Sequence, residues 1–394
     1  MKITVPTIDF GTSKIVTMVA QSNGERCDIV GSGAVPYSGY LQDGWNNPDE
    51  IRDVIRTAID QAQKTGNCRI HELNVGVPGM FTRVIVKEVH VSLTGPDPHV
   101  TAQDVRACFK LAEESGGDRI IHSAPAWFRV DDGKKTLSPV GIKGRELSAM
   151  IALVTADKYF IDDIPSRLRD MDIEPREFYS TVAGEATYAL SQDERDKTAM
   201  LIDIGYLCTD VMVMEGDALI FHKCLDIGGG HISADIAEQL NIPFPFVEEK
   251  IKQTYSFNST NQDETYVIPA TEDEPARTVR RDEVTPIIEA KVEEIAEAIN
   301  KALEEGGVKL GKWSNVYLTG GGLILNKGGK DFLAGKLHRI IREAQRTNNK
   351  MTSHVFSSAV GLTILVVTTQ EEQKAPEGGA KGLFSRAFRW LMGY

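Results

Sequence analysis

Ile8-Asp9-Phe10-Gly11-Thr12-Ser13-Lys14 is the stretch on which the reading of this chain turns. It joins one β-rich run (Ile3, Val5, Ile8) to another (Ile15, Val16, Met18, Val19), so Asp-x-Gly sits at a sharp strand-to-strand turn. Gly11 leaves backbone N–H groups open to phosphate oxygens, Thr12 and Ser13 add hydroxyl donors, and Lys14 adds a point charge. Asp9 is a candidate Mg2+ partner through water. The arrangement returns at Ile202-Asp203-Ile204-Gly205, where Asp203 is the second metal candidate. A third cluster, Leu318-Thr319-Gly320-Gly321-Gly322, follows a strand and offers a surface without side chains to a flat base. One Asp-x-Gly turn is ordinary structure. Three glycine turns, each ending an apolar strand and in this order, point to a nucleotide held with its metal.

The rest of the chain fits around these turns as an α/β protein. Asn47 to Gln63 reads as a helix opened by Asn-Pro-Asp-Glu, with Ile51, Val54, Ile55, Ala58 and Ile59 at helical spacing. Strands at 73–77, 84–91, 120–130 and 147–154 and a helix at 101–114 make one α/β block. Strands at 199–203, 209–214 and 218–225 precede a helix that opens after Gly228-Gly229-Gly230. The polar stretch 256–276 reads as a loop or irregular hairpin, and 281–305 as a long charged helix. Two hairpin-plus-helix units recur, each opened by Asp-x-Gly, although they share few residues. Gly329-Lys330 has neither the following Ser/Thr nor the upstream spacing of a P-loop.

Of 394 residues, 41% are hydrophobic and 25% charged, ordinary for a globular protein long enough for two or more domains. The net charge of −12, from 44 basic and 56 acidic residues, argues against general nucleic-acid binding. The five cysteines lack CxxC spacing and read as free thiols, and His222, Cys224 and His231 have no recognised metal-ligand spacing. No apolar stretch follows a basic run at the start, so no secretory leader is expected. The longest apolar run, around 359–367, is about half what a spanning helix requires.

Residues 369–380, TQEEQKAPEGGA, read as a flexible linker. The last segment differs in kind. At about 100° per residue, Ser385, Arg386 and Arg389 share a narrow arc, while Leu383, Phe384, Phe388, Trp390 and Leu391 are among the residues filling the rest. A basic strip beside an aromatic apolar face describes a helix in a membrane interface, the alternative being one docked on the protein's own core.

The order of phosphate turn, helical connector, second phosphate turn and adenosine turn resembles the actin superfamily, and further details resemble its FtsA family. Val75-Gly76-Val77-Pro78-Gly79 is similar to that family's lead into its own inserted subdomain, and Asp226 to Ala237 to its glycine-led helix over the nucleotide. Glu249 and Lys252 match the Glu-x-x-Lys pair that reaches ribose and base in relatives. The resemblance implies an actin-like two-lobed fold of duplicated ribonuclease-H-like units with an FtsA-type insertion and a C-terminal amphipathic helix. It implies subdomain 1A over 1–80, 158–195 and 352–369, and the insertion 1C over 81–157. Subdomain 2A would take 196–236 and 306–351, and 2B 237–305, with a linker over 370–380 and the membrane helix over 381–394.

The implied cofactors are ATP and Mg2+, held by Asp9, Gly11, Thr12, Ser13, Lys14, Asp203, Gly205, Gly228, Gly229, Gly230, Glu249, Lys252, Gly320, Gly321 and Gly322. Asp203 and Glu185, the latter in the connector Thr181-Val182-Ala183-Gly184-Glu185-Ala186, are the catalytic candidates; Glu185 also reads as a solvated helix residue. Tyr206-Leu207-Cys208 replaces the small residues usual in the family after the second turn, so hydrolysis is expected to be slow or absent. Implied partners are the FtsZ C-terminal tail, received near Arg280, Arg281 and Lys291 (Lys where the family usually has Arg), further copies of the chain in a filament, an anionic membrane and later division proteins. The implied place is the cytoplasmic face of the membrane at the division septum. A pilus-assembly scaffold of related fold and a superfamily small-molecule kinase stand as alternatives. The first normally lacks such a tail, and no set of polar residues here suggests a sugar pocket.

Overall fold

A computed structural model describes residues 3–373 except 25, 42–43, 115, 118, 262, 271–274, 312–313 and 345–352. The membrane-helix residues Leu383, Phe384, Arg386, Phe388, Arg389, Trp390 and Leu391 lie outside the described residues. The chain divides into two compact units. One takes in the chain to Met200, Met212–His222 and the chain after Ala344; the other is Leu201–Val211 with Lys223–Ala344.

In the first unit β1 (Ile3–Phe10), β2 (Lys14–Ser22) and β3 (Cys27–Pro36) form an antiparallel meander. A small hairpin, β4 (Tyr40–Leu41) and β5 (Gly44–Trp45), leads to α1 (Ile51–Gly66) and β6 (Glu72–Val77). The insertion follows as β7 (Thr82–Ser92), α2 (Ala102–Glu114), β8 (Ile120–Val130) and β9 (Glu146–Ala156), a three-stranded sheet in the order β7-β9-β8. Its own core joins Val105, Cys108 and Ala112 of α2 to Phe128, Leu147, Ile151 and Leu153. The chain returns through α3 (Lys158–Arg169), β10 (Glu174–Ser180), α4 (Thr181–Ala189) and α5 (Gln192–Arg195).

The main sheet of this unit runs β10-β6-β1-β2-β3, with β6 parallel to both β1 and β10. Strand β1 is buried almost throughout, as a central strand covered on both faces must be. Alternation splits its side chains: Ile8 and Phe10 join the core with Ile51, Ile55 and Ile59 of α1, whereas Ile3 and Val5 pack with Leu362, Leu365 and Val366. Those last residues belong to the helix Ser357–Gln373, so the apolar run at 359–367 is part of a core helix.

The second sheet is built from β11 (Ala199–Ile204), β12 (Thr209–Glu215), β13 (Ala218–Leu225), β16 (Asn315–Thr319) and β17 (Ile341–Glu343) in the order β13-β12-β11-β16-β17. Between β13 and β16 the chain forms α6 (Gly229–Gln239), α7 (Phe244–Phe246), a π-helical turn (Val247–Lys252), the hairpin β14 (Thr265–Ile268) and β15 (Arg277–Arg280), and α8 (Arg281–Glu305). Helix α9 (Gly329–Leu337) precedes β17, and α10 (Ser357–Gln373), in the first unit, is the last helix among the described residues. Both five-stranded sheets have the same order, third-second-first-fourth-fifth. The two Asp-x-Gly turns also close in the same way: Gly11 N–H donates to Lys14 C=O and Gly205 N–H to Cys208 C=O, each at 2.9 Å.

Three expectations are corrected. Helix α1 starts at Ile51: the Pro48 ring keeps Asn47 out of helical backbone, and Asn47–Glu50 form a lead-in turn tied by Asn47 Nδ2 to Glu50 Oε2 at 2.8 Å. The 256–276 stretch holds one arm of the β14–β15 hairpin and reaches its return strand only at Arg277. Residues 369–373, expected to open a flexible linker, belong to α10, which runs through Gln373, and the rest of that expected linker lies outside the described residues. Gln370 is buried with its amide near the Asn74 side chain, Glu371 accepts from the Ser22 hydroxyl, and Gln and Glu are good helix formers.

Helices α4 and α10 cross at two glycines. A Cβ on Gly184 would stand 2.8 Å from the Gly361 carbonyl oxygen, and one on Gly361 2.5 Å from the Glu185 Cα. Gly361→Val is therefore expected to lower the thermal unfolding midpoint by the equivalent of at least about 1–3 kcal/mol, the usual cost of overpacking. Gly335→Ala in α9, where a Cβ meets nothing within 4 Å, is the control and should leave the midpoint unchanged or raise it. Equal midpoints for Gly361→Val and the parent would show that the helices are not in backbone contact.

Candidate functional site

In the first unit the turn between β1 and β2 is fixed before any ligand is considered. Gly11 N–H is engaged in closing it, which leaves Thr12, Ser13 and Lys14 as the donor-bearing residues of the turn. Thr12 is buried and Ser13 half-buried, with the Ser13 carbonyl accepting Tyr37 N–H at 3.0 Å. Asp9, in the last turn of strand before Gly11, is 4% exposed. Burial pushes its carboxyl pKa up, against the Ser358 hydrogen bond, the Lys14 charge, the Phe10 amide and the Thr181 hydroxyl, which pull it down. Ser358 Oγ, from the first turn of α10, donates to Asp9 Oδ2 at 2.7 Å. The Lys14 ammonium lies 5.2 Å from the centre of the Phe356 ring, just before that helix. Glu185 is 1% exposed on a helix buried almost throughout, so it is not a solvated helix residue. Helix α4 is capped by Ser180 Oγ, which accepts Ala183 N–H at 3.2 Å, and is held close to α10 by the Gly184–Gly361 contact.

In the second unit the three glycine clusters form one stack. Gly229 N–H donates to Gly205 C=O at 2.9 Å, Gly230 N–H to Tyr206 C=O at 2.7 Å, and Gly322 N–H to Ile204 C=O at 2.8 Å. A Cβ on Gly229 would lie 2.4 Å from Gly322 Cα, and one on Gly228 2.6 Å from the Tyr206 carbonyl oxygen. Gly320 has φ +87°, and a Cβ there would fall 2.0 Å from Asp203 Oδ1. Glycine is required at these places because backbone meets backbone. Gly228 N–H is accepted by His231 Nδ1 at 3.0 Å, which fixes the start of α6. The Tyr206 ring folds against that start: a Cβ on Gly230 would lie 3.1 Å from its edge.

Lys252 is buried at the end of the π-helical turn, with 8% of its side chain exposed. Its ammonium lies 3.1 Å from Glu248 Oε1 and 5.8 Å from the centre of the Tyr206 ring. Burial pushes its pKa down, and Glu248 pulls it back up. The other Glu248 oxygen accepts the Ser233 hydroxyl from α6. Glu249, expected beside Lys252 at the nucleotide, is exposed, and the carboxylate bonded to the lysine is that of Glu248. The signal for Glu248 was present in the sequence, because i,i+4 residues meet on a helix. Asn326 Nδ2 donates to Lys252 C=O at 2.6 Å and to Tyr255 C=O at 3.0 Å, tying this turn to the chain after Gly322.

The three basic residues expected at a partner surface differ sharply in setting. Arg281 is buried, bonded to Glu264 at 3.0 Å and to Ser256 C=O at 2.6 Å, with its guanidinium 4.3 Å from the Tyr255 ring centre. Lys291 is 13% exposed and paired with Asp235 at 2.9 Å and Glu294 at 2.5 Å. Arg280 is 64% exposed and paired with Asp282 at 2.8 Å. Among the described residues, no helix is long and apolar enough to cross a membrane.

The chain as a whole is similar to known proteins. The family model for cell division protein FtsA matches residues 200–361, and that for the SHS2 domain inserted in FtsA matches 79–155. The cell division protein FtsA of Pseudomonas aeruginosa is 24% identical over 98% of this chain and 97% of its own length, and that of Bacillus subtilis 26% over 76% and 70%. Among solved structures, a PilM-PilN type IV pilus biogenesis complex superposes with a TM-score of 0.62 at 16% identity, covering 93% of this chain and 99% of that one. MreB5 of Spiroplasma citri bound to ADP superposes at 0.53 with 12% identity, covering 95% and 99%. The solved structures establish an actin-like fold, and the two family models, together with relatives spanning nearly the whole chain, establish that it belongs to the FtsA family.

Proposed function

We propose that this FtsA-family protein binds ATP with Mg2+, assembles with further copies of itself, and tethers FtsZ filaments to the cytoplasmic face of the membrane at the division septum. The observation that carries the nucleotide reading is the duplicated turn, each Gly N–H closing on the carbonyl three residues on, with a carboxylate two residues before the glycine. The donor set suits the ligand. Thr12, Ser13 and Lys14 are of the type that takes phosphate oxygens, and the carboxylates of Asp9 and Asp203 are the hard oxygen donors Mg2+ prefers. Bound Mg2+ would neutralise phosphate charge. Ser358 orients the Asp9 carboxylate, Gly320–Gly322 present a floor without side chains for the base, and Lys252, steadied by Glu248, reaches the ribose. Glu185 is assigned the orientation of water and Asp203 a share in it, with Tyr206 and Leu207 narrowing the approach. Hydrolysis is therefore slow or absent, and nucleotide favours the polymer.

Of the three basic residues, Arg280, exposed at the start of α8, is the one whose guanidinium is open to the FtsZ C-terminal tail. The tail over 381–394 supplies the membrane contact and gains strength from repetition, because copies held in one filament make later contacts intramolecular. Later division proteins would assemble on the same polymer.

Three outcomes are expected. Lys252→Ala should weaken Mg-ATP binding by at least roughly tenfold, about 1.4 kcal/mol, in calorimetry, while Glu249→Ala leaves it unchanged. Equal affinities for both variants would remove Lys252 from the site. Deleting 381–394 should abolish co-sedimentation with anionic liposomes, with and without ATP, while the thermal melt is kept; unchanged sedimentation would sink the anchoring role. Phosphate release under polymerising conditions should stay well below one per second, since misplacing reacting groups by about 1 Å costs on the order of a hundredfold. Turnover of several per second would identify an efficient ATPase.

A further inference from the structure

Next to the second turn, two thiols and a carboxylate converge in a place that the nucleotide reading does not use. One ligand atom from each of Cys208, Asp210 and Cys224 lies within 4.8 Å of the others, and among the described residues no other three of His, Cys, Asp and Glu form such a group. Cys208 closes the Gly205 turn and Asp210 follows two residues on, the spacing that puts side chains on one face of an extended chain. Cys224 comes from β13, which neighbours β12 in the sheet. Its thiol is hydrogen-bonded to both Cys208 and Asp210. Cys208 and Asp210 are buried and Cys224 half-buried.

We propose that Cys208, Asp210 and Cys224 form a binding site for a thiophilic divalent cation, Zn2+, with the fourth position left to water. Ligand type decides the metal. Two sulfurs and one carboxylate suit Zn2+, whereas Mg2+ and Ca2+ require shells of oxygen. The size also fits: Zn–S bonds of about 2.3 Å at tetrahedral angles place ligand atoms about 3.8 Å apart, so side-chain rotation closes the remaining distance. The backbone framework is in place before the metal arrives. Gly205 N–H holds the Cys208 carbonyl at 2.9 Å, and Thr209 Oγ1 donates to Ile227 C=O at 2.7 Å, which ties the start of β12 to the chain just after β13. On binding, each thiol gives its proton to solvent, two protons per Zn2+, with no change of oxidation state. The bound ion would pin the turn at Cys208 to the neighbouring strand. The site rests on the second unit alone and does not depend on the nucleotide reading.

The test uses the full chain, reduced and freed of metal, titrated with Co2+ as a spectroscopic probe and then with Zn2+ in competition. One equivalent of Co2+ should give a thiolate-to-cobalt charge-transfer band that Zn2+ abolishes, with two protons released per Zn2+ in weakly buffered solution. Cys208→Ser and Cys224→Ser should each lose the band, while Cys68→Ser keeps it; far-ultraviolet circular dichroism confirms that the variants are folded. Asp210→Asn, which keeps the side-chain shape but removes the carboxylate charge, should weaken Zn2+ binding by at least roughly tenfold. The proposal is overturned by no band in the reduced protein, by a band that survives both serine variants, or by an Asp210→Asn affinity equal to the parent's.

Discussion

Side-chain-free contact between backbones is the constraint from which the second unit's geometry follows. The end of β11, the start of α6 and the loop after β16 meet at Gly205, Gly229 and Gly322, with N–H groups of one segment reaching carbonyls of another. The contact fixes where β11 ends just after Asp203, where α6 begins, and where the chain leaves β16 towards Asn326, whose amide holds the Lys252 turn. A single Cβ at Gly229 or Gly322 would stand within about 2.4 Å of backbone, a separation that real structures do not tolerate without movement of a whole segment. The first unit uses the same device with helices. The Gly184–Gly361 crossing sets α4 against α10, and through them the Ser358 hydroxyl that orients Asp9.

Charge is handled by the same scaffold. Asp9, Lys252 and Arg281 are all largely removed from water, and an uncompensated buried charge is expensive enough that each must find a partner. Ser358 and Lys14 serve Asp9, Glu248 serves Lys252, and Glu264 with the Tyr255 face serves Arg281. Arg281 thereby ties the start of α8 to the ends of two other segments, a task inside the unit. Arg280, one residue earlier, keeps its guanidinium in solvent, where ion pairs are weak and easily exchanged for a partner's carboxylate. Adjacent arginines therefore divide between holding the fold and facing outward.

What the sequence made legible is what depends on neighbours along the chain. Strand periodicity, the Asp-x-Gly turns and the 281–305 helix are local, and they place β1, β11, β12, β13 and α8 close to where the fold has them. The Gly184–Gly361 crossing pairs residues far apart in the chain through atoms that carry no side-chain pattern, so nothing in periodicity announces it. Glu248 was obscured because a family spacing favoured Glu249, although the helical i,i+4 rule favours its neighbour. The Cys208–Asp210–Cys224 group depends on strand pairing, which brings together ligands whose spacing in the chain matches no metal motif. The end of α10 was missed for a related reason. Charge and glycine further on suggested a linker, but buried contacts to Asn74 and Ser22 carry the helix onward.

Tyr206 shows how the glycine stack absorbs a departure from family pattern. A bulky residue after the second Asp-x-Gly turn would be expected to distort it, yet Gly205 N–H closes on the Cys208 carbonyl at the same 2.9 Å as Gly11 N–H on that of Lys14. The ring has somewhere to go, because Gly230 leaves the space its own Cβ would fill, and the Lys252 ammonium stands 5.8 Å from the ring centre. The backbone of Tyr206 meanwhile takes part in the stack, its carbonyl accepting Gly230 N–H at 2.7 Å. The substitution therefore alters what lines the turn and leaves its path intact. In the proposed function, nucleotide binding rests on the backbone path, whereas turnover would rest on where a water stands beside the turn, the property that a tyrosine there changes.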